Sequence, residues 1–141
     1  MIRACHISTN RINLVLLACG CARLCLKYSE WPQPLKAIEA AEAWTRGEAT
    51  VDEVKAAAVE SARHGCNIGY SAFSDAASSA YNAALTVYTD DPMDSVSRAI
   101  DYCAFAYRDE TLKKCAPITA KYGFRLFASC DPFQTVKLEQ I

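Results

Sequence analysis

The chain has 141 residues, a formal net charge of −1, 52% hydrophobic residues and 22% charged residues. This length suits one domain that buries roughly two thirds of its unfolded surface, and this composition excludes disordered, collagen-like and low-complexity chains. A membrane-spanning helix needs about 20 apolar residues, far more than the apolar stretch after Asn13 provides. We therefore predict a single domain over residues 1–141 and no membrane span.

The first predicted helix covers residues 13–28, where apolar residues recur at helical spacing from Leu14 onward. The alternative is a lipoprotein signal, because two arginines precede the apolar stretch and the sequence LLAC, ending at Cys19, resembles a cleavage box. The stretch is short for a signal, and Arg23 continues the helix on its polar side. We therefore favour a core helix and expect a cytoplasmic protein.

Two amphipathic helices joined by a short turn are predicted next along the chain. Pro34 suits the first turn of a helix, where its missing N–H would have no partner. Gly47 and Gly65 are predicted helix ends, because glycine reaches the left-handed conformation used after a C-terminus. Thr50 and Glu53 form a capping box that starts the second helix. The structural signature of this segment is Trp44, Gly47, Thr50 and Glu53.

The helical pattern continues downstream. Residues 71–88 are alanine-rich and predict a close-packed central helix. Asp91 caps another helix, which we expect to end before Pro117. Residues 118–130 predict a weaker sixth helix, because Gly123 costs it about 1 kcal/mol relative to alanine.

The last residues, 131–141, are predicted to form an extended tail that Phe133, Val136 and Leu138 anchor on the helices. The sequence shows no convincing β-hairpin signal. The predicted fold class is therefore all-α, with a single helical bundle of five or six helices over residues 13–130 and an extended C-terminal tail.

The eight cysteines are an even number, which would permit four disulfides in a secreted protein. Cys21 and Cys103, however, lie on apolar helical faces, where a reduced cysteine acts as a small hydrophobic residue. A chain of this length can also form a core without disulfides. We therefore predict reduced, mostly buried cysteines, and the absence of C-x-x-C pairs disfavours a structural zinc site.

No residue set forms a recognisable catalytic signature. Phosphate-binding loops and the G-x-S-x-G and H-E-x-x-H motifs are absent. His64 and Cys66 could be imagined as a base and a nucleophile, but neighbours at a helix end rarely face each other. We interpret His64 as a helix cap favoured by the dipole. We predict a protein that is not an enzyme and has no metal or cofactor, and a sequence pI of about 6.1 disfavours nucleic acid as a partner.

The acidic residues are unevenly distributed. Residues 30–110 hold 14 acidic and 6 basic side chains, and residues 64–97 contain no lysine or arginine. An acidic patch there would attract a basic partner protein and raise its association rate. The simpler interpretation is that aspartates at helix starts complement the helix dipoles. The tentative partner-binding residues are Asp75, Asp90, Asp91 and Asp94.

Three segments carry a family resemblance. Residues 14–23 form a cysteine-containing helical pattern, residues 37–48 read AIEAAEAWTRGE, and residues 51–62 are alanine-rich. In these segments the chain resembles the all-helical immunity proteins of bacterial polymorphic toxin systems. Residues 131–138, DPFQTVKL, resemble the N-P-F-x-x-V-x-L segment of related uncharacterised planctomycete-type helical proteins, with Asp131 in place of the leading asparagine.

The resemblance implies a protein that binds a toxin or other effector tightly and blocks it, which requires no chemistry of its own. We therefore predict a protein-binding module of the immunity type, whose partner is another protein such as a basic toxin. The alternative is a phage or bacterial structural or accessory protein that self-assembles through apolar helix faces.

Overall fold

A computed structural model describes residues 2–29, 31–68 and 72–141 of the chain. Most of these residues are helical and a small antiparallel sheet follows the last helix, which confirms the predicted all-α class. None of the helices in the described ranges is long and apolar enough to cross a membrane. The elements are α1 (Ile2–Arg23), a 3₁₀ turn (Leu26–Tyr28), α2 (Pro32–Thr45), α3 (Val51–Ile68), α4 (Ala72–Leu85), α5 (Pro92–Lys121), β1 (Phe124–Ala128) and β2 (Val136–Gln140).

Helix α4 lies at the centre of the fold, as its alanine-rich sequence predicts. It packs against α1, α2, α3 and α5, and small side chains allow the backbones of these helices to come close. The hydroxyl of Ser79 on α4 donates to the backbone oxygen of Ala99 at 2.7 Å, and Ser61 on α3 donates to that of Ala77 at 2.9 Å. The buried alanines of α4 are Ala76, Ala77, Ala80, Ala83 and Ala84.

Helix α1 is a core helix, as favoured from the sequence, but it begins at Ile2 instead of near residue 13. Arg11, one of the two arginines of the alternative signal interpretation, contacts the turn that follows α4. Its guanidinium donates to three backbone oxygens, those of Thr86 (3.1 Å), Val87 (3.3 Å) and Thr89 (2.8 Å). Among residues 10–23 of α1, the buried side chains are Leu14, Val15, Leu17, Ala18, Cys19, Cys21 and Ala22.

The turn between α2 and α3 has the geometry that its sequence predicts. Gly47 adopts a φ of 74°, and its N–H donates to the Trp44 oxygen at 3.0 Å. The N–H of Glu48 donates to the Ala43 oxygen at 2.9 Å, which completes a Schellman motif. The hydroxyl of Thr50 then accepts from the backbone N–H of Glu53 at 3.2 Å and caps α3. Trp44 is half-buried against the core.

The predicted helix end at Gly65 is wrong, because α3 continues to Ile68. A glycine can remain inside a helix at a cost of about 1 kcal/mol relative to alanine, which the packing of α3 on α2 and α4 can offset. In the described residues, left-handed φ values occur at Gly47 and Gly123 alone.

The chain after Asp91 also differs from the prediction. Helix α5 does not end before Pro117 but continues to Lys121, with a break at Tyr107, where φ is −142° and ψ is 54°. Pro117 lies inside α5 and has no N–H, so the helical hydrogen bond to the backbone oxygen of Lys113 is missing there. The predicted sixth helix over residues 118–130 is wrong: Gly123, with a φ of 86°, follows the end of α5.

The extended tail is in fact the second strand of a hairpin, so the predicted absence of a hairpin is also wrong. Strands β1 and β2 pair antiparallel, from Phe124 opposite Gln140 to Ala128 opposite Val136. Phe124, Val136 and Leu138 are buried, because the hairpin packs on α5. The prediction that Val136 and Leu138 anchor the tail is confirmed. The prediction for Phe133 is wrong, since that side chain is 91% exposed.

The prediction of reduced cysteines is wrong for Cys25 and Cys103, which form a disulfide with each other. The two residues are 78 positions apart in the sequence, and the packing of α1 on α5 brings their Cα atoms to 5.8 Å. Cys19 is free and buried, and burial together with the nearby Glu42 carboxylate raises its pKa well above the usual range. Disulfides persist mainly in oxidising compartments, and the cytoplasmic location stays a prediction.

Replacing both Cys25 and Cys103 with alanine is expected to lower the free energy of unfolding by roughly 4 kcal/mol. The bond joins residues 78 positions apart and therefore restricts the unfolded chain strongly. Urea denaturation without reductant measures the loss, and Cys130→Ala, which removes an exposed free thiol, is the control. Reductant added to the wild-type protein should lower its free energy of unfolding by the same amount. Equal urea midpoints of the wild-type protein with and without reductant would contradict the prediction.

Candidate protein-binding surface

The four aspartates singled out from the sequence lie in two places. Asp75 is in the first turn of α4, half-buried, and burial raises its pKa. The other three lie beyond the opposite end of that helix, and the ten residues from Asp75 to Leu85 span about 15 Å of helix. The structure therefore separates Asp75 from the group formed by Asp90, Asp91 and Asp94.

Two members of that group have local structural roles. The carboxylate of Asp91 accepts the backbone N–H of Asp94 at 3.1 Å and so caps α5. The carboxylate of Asp94 accepts from Arg98 Nε at 2.8 Å, one helical turn away. Asp90 is exposed in the preceding loop. The helix-start interpretation accounts for both Asp91 and Asp94, which lie at the start of α5, and the docking role of the group stays a prediction.

One concave surface lies between α5 and the loop of the hairpin. This hairpin cleft has a volume of about 430 Å³, and a second groove of about 470 Å³ on its α4 side shares Asp94, Arg98 and Tyr102 with it. Aspartates and aromatic residues dominate the cleft. Its lining consists of Asp94, Ser97, Arg98, Asp101, Tyr102, Phe105, Asp131, Phe133 and Gln134.

Asp101 fastens the hairpin to α5. Its Oδ1 accepts the backbone N–H groups of Thr135 at 3.1 Å and Val136 at 2.8 Å, so the first residues of β2 are held by a side chain of the helix. Asp101 is 8% exposed. Desolvation by this burial raises its pKa to about 6, although the two N–H groups and the nearby Arg98 act in the opposite direction.

The hairpin loop is held by its own hydrogen bonds. Ser129 Oγ accepts the N–H of Asp131 at 3.0 Å, and Asp131 Oδ1 accepts the N–H of Phe133 at 2.9 Å. These contacts place the Phe133 side chain in solvent at the rim of the cleft. Across the cleft, Phe105 is 54% exposed and packs edge-to-face on Tyr102, with 5.3 Å between the ring centroids.

The sequence signals for this site were incomplete. The sequence indicates Asp94 by its charge, Asp131 by the tail motif and Phe133 as a buried anchor of the tail, which is not its place in the structure. Asp101 and Phe105 were missed because both lie within an ordinary helical pattern, and nothing local indicates that the tail returns to them.

No metal centre accompanies the cleft in the part of the chain that the structure describes. Within those ranges, no group of three or more His, Cys, Asp or Glu side chains is placed to hold a metal ion. The side chains of His64 and Cys66, considered from the sequence as a base and a nucleophile, lie outside the described residues.

Comparison with protein-family models, with curated proteins and with solved structures gave no match. The resemblance to immunity proteins therefore stays a prediction, and the function has to be argued from the chain itself.

Replacing Asp101 with alanine is expected to cost roughly 1–3 kcal/mol of unfolding free energy, because two backbone N–H groups lose their acceptor. Asp101→Asn keeps an acceptor oxygen without the charge and should retain most of the stability at pH 7. Urea denaturation gives both values, and hydrogen exchange at Thr135 and Val136 locates the effect. An alanine variant with wild-type stability and wild-type exchange would contradict the fastening role.

The same residue predicts a pH dependence of stability. The folded-state pKa is about 6, against 3.8 for an ordinary aspartate, so the folded protein binds a proton more readily between these values. The contribution of Asp101 to the free energy of unfolding should therefore increase as the pH falls from about 6 to about 4. Urea denaturation of the wild type and of Asp101→Asn across this pH range isolates the contribution of Asp101. If the free energies of unfolding of the two proteins changed in parallel with pH, this pH dependence would be excluded.

Proposed function

We propose that this protein is a non-enzymatic binding module of the immunity type, which inhibits a basic toxin or other effector protein by covering part of its surface. The observation that carries the proposal is the hairpin cleft, where the exposed side chains of Phe105 and Phe133 lie beside aspartate carboxylates. One of these, Asp131, accepts the backbone N–H of Phe133. Aromatic residues are enriched at protein interfaces and often supply most of the binding energy. The sequence resemblance to immunity proteins supports the same function.

Charge supports a basic partner. The α5 start carries Asp90, Asp91 and Asp94, the cleft adds Asp101 and Asp131, and residues 64–97 contain no lysine or arginine. A surface with this excess of negative charge accelerates association with a positively charged protein, mostly at low salt.

Self-assembly as a phage or bacterial structural or accessory protein is the second candidate. Exposed apolar side chains on α3, Val51 at 38% and Val59 at 50%, favour it, since they could contact another copy of the chain. Such contacts would require no basic partner and would not weaken with added salt. A dependence of assembly on protein concentration alone would support this candidate.

The decisive experiment uses the product of the adjacent gene as the partner. We expect that product to inhibit growth when it is produced alone and to lose this effect when the present protein is co-produced. The two purified proteins should form a complex in size-exclusion chromatography at low salt. Unrelieved growth inhibition together with the absence of a complex would contradict the proposal.

The role of the acidic α5 start can be tested by combining Asp90→Lys, Asp91→Asn and Asp94→Asn. Asparagine still caps a helix, so the change removes charge with little effect on the fold. We expect the association rate at low salt to fall about tenfold. The matched control combines Glu48→Lys, Asp52→Asn and Glu53→Gln, an equal charge change at exposed positions near the start of α3. Equal rates for the two variants would show that only net charge matters.

A further inference from the structure

The hairpin cleft combines ring faces and carboxylates within one concave surface. Its volume of about 430 Å³ lies within the range of roughly 300–1,000 Å³ that is common for ligand sites. Tyr102 and Phe105 come from neighbouring turns of α5, and Phe133 comes from the hairpin loop. Phe133 is 91% exposed and Phe105 is 54% exposed, so neither ring is buried in the core and both can contact a ligand.

The charges of the cleft are not balanced. Among the described residues that line it, Arg98 is the single cation; its Nε is hydrogen-bonded to Asp94 at 2.8 Å, and its charge also acts on the nearby Asp101. Three carboxylates therefore face one guanidinium in the cleft, and Asp131 lies on the hairpin loop. Both backbone N–H groups that Asp101 accepts are bound by Oδ1, which leaves Oδ2 to accept from a ligand. The cleft therefore presents negative charge beside exposed aromatic rings.

A guanidinium group satisfies both features at once. Its planar face stacks on aromatic rings, and its N–H groups form charge-assisted hydrogen bonds with carboxylates. An ammonium group is more strongly hydrated and lacks the planar face, so lysine fits the same surroundings less well. An aliphatic side chain would leave the carboxylates without a partner.

We propose that the hairpin cleft binds an arginine side chain presented by a partner protein, with the guanidinium against Phe105 and Phe133 and its donors directed to Asp101 and Asp131. This inference rests on the proposed function, because it identifies the part of the partner that the inhibitor recognises. The aspartates at the α5 start attract the partner, and the cleft selects the residue that is bound.

The test uses the full-length, isotopically labelled protein and a short peptide, acetyl-Ser-Gly-Arg-Gly-Ser-amide, in an NMR titration. Saturable shifts are expected for the backbone N–H groups of residues 101–105, of Asp131 and of residues 133–135. Replacing the arginine by citrulline, which keeps the shape and removes the charge, should weaken binding at least tenfold, and lysine should bind several-fold more weakly. Equal binding of the citrulline or lysine peptide, or shifts elsewhere only, would overturn the proposal.

Two variants locate the contacts. Phe133→Ala should weaken peptide binding about fivefold, the loss expected for one exposed cation–π contact, and Asp131→Asn should weaken it several-fold while keeping the acceptor for the Phe133 N–H. Ile141→Ala removes another exposed apolar side chain and Glu139→Gln removes another hairpin carboxylate; both controls should bind as wild type does. Cleft variants that behave like these controls would overturn the proposal.

The two proposals fail separately. The peptide titration involves no toxin, so a failed titration leaves relief of growth inhibition untouched. Conversely, arginine binding without relief of growth inhibition would refute the inhibitory function and leave the cleft as an arginine site. Where both experiments succeed, Phe133→Ala should raise the dissociation rate of the protein complex as well, and an unchanged rate would exclude the cleft from that interface.

Discussion

The close approach of helices around α4 is the constraint on which the rest of this fold depends. Alanine side chains fill the contacts of α4 with its neighbours, and the hydroxyl of Ser79 reaches a backbone oxygen of α5 directly. Where α1 meets α5 the space is equally narrow, since a Cβ at Gly20 would lie 3.2 Å from Ile118 Cγ2. A protein interior packed this closely is hardly compressible. Helix α5 therefore cannot shift without displacing its neighbours, and it has a defined position against the other helices.

The position of α5 in turn determines where the C-terminal hairpin lies. A hairpin of two strands has little stability by itself, and this one packs on the helix through Phe124, Val136 and Leu138. Asp101 on α5 fixes the start of β2 against the helix, because its carboxylate accepts the backbone N–H groups of Thr135 and Val136. Burying a carboxylate costs free energy unless hydrogen bonds replace its water, and desolvation raises the pKa of Asp101 although these two N–H groups act in the opposite direction.

The proposed binding surface is a consequence of this arrangement. Helix α5 contributes aromatic and acidic side chains that would otherwise be scattered along a solvent-exposed face, and the hairpin loop adds Asp131 and Phe133 opposite them. The aspartates at the start of α5 have two roles that do not exclude each other. Asp91 stabilises the helix as its cap, while the negative charge of the whole segment acts at longer range on an approaching protein.

The sequence by itself determined the helical class, the central alanine-rich helix and the turn from Gly47 to Thr50, because helix periodicity, caps and glycine stops depend on residues a few positions apart. Only the tertiary structure decided the disulfide between Cys25 and Cys103, the hairpin and the exposure of Phe133. The disulfide and the hairpin's place on α5 join residues far apart in the sequence, whose spacing carries no local signal. The sequence alone allows the Phe133 side chain to be buried or exposed. Its exposure follows from the position of the hairpin loop at the rim of the cleft.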